Sequence, residues 1–158
     1  MSDEDDVILD LLVEHEQAIG RLYDRYAGAF PAHGPLWTRL AAEERAHAER
    51  LATLRAGTLR DAWRSRGRKL RPQPIRMSIG FVERHQAKVQ AGETGAREAL
   101  AIARDLESAL LEKQFTGLDD SLPAEVLSVL RYLAAETEQH RALVVAALEA
   151  DTGAAAAS

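Results

Sequence analysis

The chain of 158 residues contains no cysteine. A disulfide framework, a zinc–thiolate finger, an iron–sulfur cluster and a rubredoxin-type iron centre are therefore excluded. Long hydrophobic runs are missing too, since no apolar stretch approaches the roughly 20 residues that span a bilayer. Positive charge is in deficit, with 20 Lys and Arg against 25 Asp and Glu, which disfavours non-specific nucleic-acid binding. Val, Ile and Thr never gather in alternating runs, so strands are not expected. The opening MSDEDD is acidic with no apolar core behind it, so no cleavable signal peptide is expected. Together these absences point to a soluble, cytoplasmic chain with neither a membrane nor a nucleic-acid partner.

Ala, Leu, Glu and Arg dominate, and all are good helix formers, so the expected class is all-α. A first long helix is expected from about Glu4 to Gly28, with Ser2 and Asp5 resembling a capping box. Pro31, Gly34 and Pro35 mark a turn, and a second helix runs from Pro35 to about Arg64, weakened at Gly57. Pro72 and Pro74 are expected to interrupt helix over Gly67–Pro74. A short helix over Ser78–Gln90 follows, then Gly92, Thr94 as a candidate N-cap, and Gly95. The remaining long helices span about Ala96–Phe115 and Pro123–Ala150. The short connections within each half pair the helices antiparallel, and the long crossover with its short extra helix lies between the second and third. Residues 1–150 thus form one helical domain, and the tail DTGAAAAS at 151–158 is expected to fray. A basic run, Arg60, Arg64, Arg66, Arg68, Lys69, Arg71 and Arg76, fits a solvated connector, with docking of an acidic partner as the alternative.

Each long helix should bury a stripe of side chains at spacing i, i+3, i+4, i+7. The stripes are Leu12, Glu16, Ile19, Tyr23; Leu40, Glu44, His47, Leu51, Leu54; Leu100, Ala103, Glu107, Leu110; and Val126, Leu130, Leu133, Thr137, His140, Val144. Every stripe carries polar groups where apolar ones belong. An unpartnered carboxylate facing a core costs several kcal/mol, so buried charges are normally paired or bind metal. Neither Lys nor Arg lies on these stripes. Three carboxylates and two imidazoles converging without a cation make a candidate site for a divalent metal, and mixed oxygen and nitrogen donors suit iron or manganese. His15, His33 and His85 fall off the stripes and read as surface residues. Tyr23, Trp37 and Trp63 read as apolar anchors, and Tyr23 is also within reach of a ligand.

The segments HEQAIGRLYDRYAGAFP, WTRLAAEERAHAERL, AIARDLESALLEKQF and LAAETEQH cover all four long helices. As a set they resemble the rubrerythrin branch of the ferritin-like superfamily. The resemblance implies a ferritin-like antiparallel four-helix bundle with one long crossover. It implies a di-iron carboxylate centre, with Glu16, Glu44 and His47, Glu107, and His140 as ligands. Glu44 and Glu107 would bridge, Glu16 would be terminal, and each histidine would cap one metal. The chemistry implied is that of a ferroxidase or peroxidase, in which ferrous iron reacts with O2 or H2O2 in iron handling or oxidative stress. Manganese and a single metal remain open. No rubredoxin-like segment is present, so redox turnover would need an external electron donor.

One position departs from the family pattern. LAAEERAH at 40–47 is echoed by LAAETEQH at 133–140, but Thr137 stands where a glutamate is expected. Two divalent ions bring four positive charges, and Glu16, Glu44 and Glu107 supply three negative ones. A hydroxide would balance the site, or Glu136, which sits at i−4 from His140. The alternative is a helical scaffold without metal that serves as a partner-binding module. A cage-forming storage subunit has no support in the sequence, and a closed homodimer is the simpler expectation.

Overall fold

The computed structural model describes residues 3–54, 71–115, 118, 120 and 122–157. It is all-helical, as expected, with no strand among the described residues. The helices are α1 (Asp3–Ala29), α2 (Gly34–Ala52), α3 (Pro72–Gln90), α4 (Ala96–Lys113) and α5 (Ala124–Ala157). A single 3-10 turn, Pro31–His33, joins α1 to α2. There the Phe30 amide donates to Tyr26 O at 2.8 Å and the His33 amide to Phe30 O at 3.1 Å. This tight reversal sends α2 back along α1. The first helix also packs along α3, α4 packs along α5, and α2 meets α5. No helix among the described residues is long and apolar enough to cross a membrane.

The apolar stripes fall where the 3.6-residue period puts them. Leu12, Ile19, Leu40, Leu51, Leu100, Leu110, Val126, Leu130, Leu133 and Val144 are all buried. Each fully buried Leu or Ile contributes roughly 1.5–3 kcal/mol, and this wrapping is what sustains polar groups in the middle of the core. An aromatic cluster closes the α1–α2 end. Trp37 lies 5.4 Å from Tyr23 and 4.9 Å from Tyr26 between ring centroids, which makes Trp37 the apolar anchor expected of it.

Several boundaries differ from the sequence expectation. The second helix ends at Ala52, not near Arg64: the Thr53 hydroxyl turns back onto Arg50 O at 2.6 Å and the Leu54 amide onto Leu51 O at 3.0 Å. The crossover helix is not the short 78–90 segment but starts at Pro72, because both prolines fall in its first turn, where a missing N–H costs nothing. It ends in a Schellman motif, with Gly92 at φ 74° and the Glu93 amide bonded to Lys88 O at 2.9 Å. Gly95, not Thr94, occupies the N-cap of α4, and the Thr94 side chain is buried. The last helix is described from Ala124 to Ala157, past the Ala150 expected as its end, and the alanine run has high helix propensity. Ser2, Gly57, Trp63, and Arg60 to Lys69 of the basic run lie outside the described residues; Arg71 and Arg76 are exposed.

Candidate metal centre

Gly20, in the middle of α1, lies against the segment of α2 that carries Glu44. A Cβ there would rest in ordinary contact with Ala41 O at 3.4 Å, Arg45 Cγ at 3.5 Å and Glu44 Cβ at 3.6 Å. The two helices therefore run close together one turn past Glu16. Glu16 on α1, Glu44 and His47 on α2, Glu107 on α4 and Thr137 and His140 on α5 are all 0% exposed. All six inward positions expected from the stripes are therefore in the core. The buried polar and charged side chains among the described residues include no Lys or Arg.

These groups form one connected cluster. His47 Nδ1 lies 3.4 Å from Glu44 Oε2 and 4.0 Å from Glu16 Oε2. His140 Nδ1 lies 2.9 Å from Glu44 Oε1 and 3.7 Å from Glu107 Oε1. The Tyr23 hydroxyl donates to Glu107 Oε1 at 2.8 Å, so this core tyrosine does reach a candidate ligand. The two imidazoles are nearly parallel, 14° apart with centroids 5.2 Å apart. Glu44, His47 and His140 each offer one donor atom, and these three atoms lie within 4.8 Å of one another.

Burial works on every charge in this cluster. Burial first, then the Glu44 charge, pushes Glu16 well above the usual carboxylate range. The same two causes push Glu107 up to about 8. Burial alone would raise Glu44 too, but the proton shared by Glu16, the hydrogen bond with His140 and the nearby His47 ring outweigh it and hold Glu44 well below that range. Burial opposes a charge on His140, yet the Glu107 and Glu44 carboxylates outweigh it and push the imidazole up to about 11. Protons thus neutralise part of the cluster, in the role a cation would otherwise fill.

The donor set fits a hard or borderline divalent metal. It contains carboxylate oxygens and imidazole nitrogens and no sulfur. Apart from protons that carboxyls can share, Glu16 Oε1 and Oε2, Glu44 Oε2, Glu107 Oε2, and Nδ1 and Nε2 of His47 have no hydrogen-bond partner. Buried polar atoms are almost always satisfied, so a concentration of orphans calls for a missing partner. Metal–oxygen and metal–nitrogen bonds of roughly 2.0–2.2 Å let ligand atoms of one ion stand up to about 4.4 Å apart. The 3.4 and 4.0 Å separations around His47 Nδ1 are in that range, and too long for good hydrogen bonds.

Glu136 is not brought into the cluster. It sits on the shoulder of the α5 stripe, and Tyr132 one turn earlier captures it, the phenol donating to Glu136 Oε1 at 2.8 Å on the exposed side. Tyr132 in turn lies under the Arg50 guanidinium, 3.7 Å from ring centroid to Cζ, and edge-on to His47 at 6.5 Å. The carboxylate that does approach the helix-5 half is Glu43, with Oε2 2.7 Å from His140 Nε2. Arg39 donates to its other oxygen at 3.1 Å. Glu43 lies off the stripe, one position before the inward Glu44. Its signal was its place one turn before His47, equivalent to Glu136 in the echo.

His15 also differs from expectation. It is buried, not on the surface, and its ring nitrogens meet Ser78 Oγ at 2.9 Å and Gln114 Nε2 at 3.3 Å. It pins α1 to α3 and to the end of α4, and burial pushes its pKa down to about 4. His33 is half-buried, 3.4 Å from Asp151 Oδ1, and His85 is half-buried against Phe81.

No family model matches the chain, and no characterised protein or solved structure matches it significantly. The functional reading therefore rests on the site.

Proposed function

We propose that this chain is a non-haem iron protein with a ferritin-like bundle, built to the di-iron carboxylate design with one carboxylate fewer. What carries the reading is a set of fully buried Glu and His side chains from four helices, with unpartnered donor atoms on three of them and no buried Lys or Arg among the described residues to neutralise them. Glu16, Glu44, Glu107 and His47 would hold the metal, with His140 at the edge of the same cluster. Iron bound there would supply electrons to O2 or peroxide. The Tyr23 phenol fixes one oxygen of Glu107 and leaves the other free. Tyr132 covers His47 from the outer side, which limits access of water. These 158 residues hold no cysteine for a thiolate-bound iron or iron–sulfur centre, so repeated turnover would draw its electrons from elsewhere. Anaerobic addition of Fe(II) followed by desalting and elemental analysis tests the reading, and a protein that retains no iron would end it.

A second reading has one observation in its favour. His140 is hydrogen-bonded at both ring nitrogens, as in a metal-free polar core of a scaffold protein. Under that reading, Leu at both Glu44 and His47 preserves or raises stability and leaves partner binding intact. Under the iron reading the same change abolishes metal binding.

A further inference from the structure

We infer that the cluster is built for one tightly held metal ion, in the half formed by Glu16, Glu44, His47 and Glu107, and that His140, hydrogen-bonded at both ring nitrogens, serves as a positioning residue in place of a second ion's ligand. The inference rests on the iron-protein reading and departs from the two-metal arrangement that the sequence resemblance implies.

The six unpartnered ligand atoms are not spread evenly over the cluster. Both oxygens of Glu16, Oε2 of Glu44, Oε2 of Glu107 and both nitrogens of His47 stand without a partner. On the other side every corresponding atom is engaged. Glu44 Oε1 faces His140 Nδ1 at 2.9 Å, Glu107 Oε1 accepts from Tyr23 at 2.8 Å, and His140 Nε2 faces Glu43 Oε2 at 2.7 Å. The two bridging candidates are thus divided within themselves, with one oxygen of each carboxylate spoken for and one free.

His140 is the centre of the closed half. Its ring is held at both nitrogens, by Glu44 on one side and Glu43 on the other, so neither nitrogen meets a metal without breaking a hydrogen bond. His47 is the opposite case. Its Nδ1 stands 3.4 and 4.0 Å from two carboxylate oxygens with no hydrogen bond to either. The imidazoles lie parallel in the same core, yet only His47 has both ring nitrogens without a hydrogen bond.

Thr137 completes the asymmetry. Its hydroxyl is fully buried and without a partner, beside the half that has no ligand to spare. Three buried carboxylates leave two divalent ions one negative charge short, and a neutral hydroxyl adds none. A glutamate at this position would compete with Glu44 and Glu43 for His140 and supply the missing charge.

Anaerobic titration of the full chain with Co(II), read by the visible spectrum of the bound ion and by equilibrium dialysis with elemental analysis, tests this directly. Wild-type protein is expected to bind one equivalent tightly, with any second equivalent at least about tenfold weaker. His47→Gln should lose the tight equivalent. His140→Gln, which keeps a donor toward Glu44, should retain a stoichiometry of one and lose no more than about tenfold in affinity, the lower end for changes outside the ligand set. Thr137→Glu should raise the tight stoichiometry to two. Two equally tight equivalents in the wild type, or loss of the ion in His140→Gln as complete as in His47→Gln, would overturn the inference while leaving the iron reading intact. No binding by the wild type would overturn both. If Thr137→Glu fails to fold, the comparison of the two histidine variants decides alone.

Discussion

Glu43 Oε2 on α2 lies 2.7 Å from Nε2 of His140 on α5, so a half-buried carboxylate fixes the orientation of a fully buried imidazole across a helix interface. Removing that carboxylate leaves a ring nitrogen in the core without a partner. Glu43→Ala should therefore destabilise the protein by about 1–3 kcal/mol, the range for an unsatisfied buried group. Glu43→Gln, which keeps an acceptor, should cost less. Urea denaturation of both variants checks the order.

Glu16 is fully buried beside Glu44, and burial with the Glu44 charge holds it protonated. Glu16→Gln should leave the metal-free protein about as stable as the parent, since a neutral acid is replaced by a neutral amide that keeps a donor toward Glu44. The same change should weaken metal binding. Paired thermal melts with and without Co(II) separate the two effects, and a large drop in the metal-free melting temperature would contradict the first.

The pH dependence has a defined sign. Burial and the Glu44 charge push Glu107 up from 4.5 to about 8, so the folded protein holds this proton more firmly than the unfolded chain does. Its contribution to metal-free stability is full below about 4.5 and lost as pH rises through about 8. Glu107→Gln should cancel that part of the pH profile, visible as a flatter difference between variant and parent across this window. Metal binding must displace the same proton, so affinity should climb over the same interval with measurable proton release. Titration calorimetry in buffers of different ionisation enthalpy would show it.

Tyr132 covers His47 from outside, held by Arg50 on its face and Glu136 at its hydroxyl. Tyr132→Ala should speed removal of bound metal by a chelator with little change in the number of ions bound. Stopped-flow chelation against the parent protein measures the rate, and an unchanged rate would mean that the ion escapes by another route.

The helical class and the inward-facing polar residues were legible in the sequence for one reason. A period of 3.6 residues decides which side chains face inward, and it placed Glu16, Glu44, His47, Glu107, Thr137 and His140 in the core without reference to any other helix. What could not be read was which residue meets which across helices. Glu43 and Glu136 are equivalent in the sequence echo, yet one engages His140 and the other is drawn outward by Tyr132. His15 reads as a surface residue in the sequence for the same reason, since its partners Ser78 and Gln114 lie far along the chain. The prolines at 72 and 74 were read as breaks because the spacing alone does not tell a first turn from an interior one.

Gly20 leaves room in the seam between α1 and α2. A methyl group there would rest in ordinary contact with Ala41 O at 3.4 Å, Arg45 Cγ at 3.5 Å and Glu44 Cβ at 3.6 Å. Alanine would therefore fit without parting the helices, and would shed the roughly 0.5–1 kcal/mol that glycine costs in a helix interior. The helix that carries Glu16 thus has spare stability to gain at a residue that touches no ligand atom of the cluster.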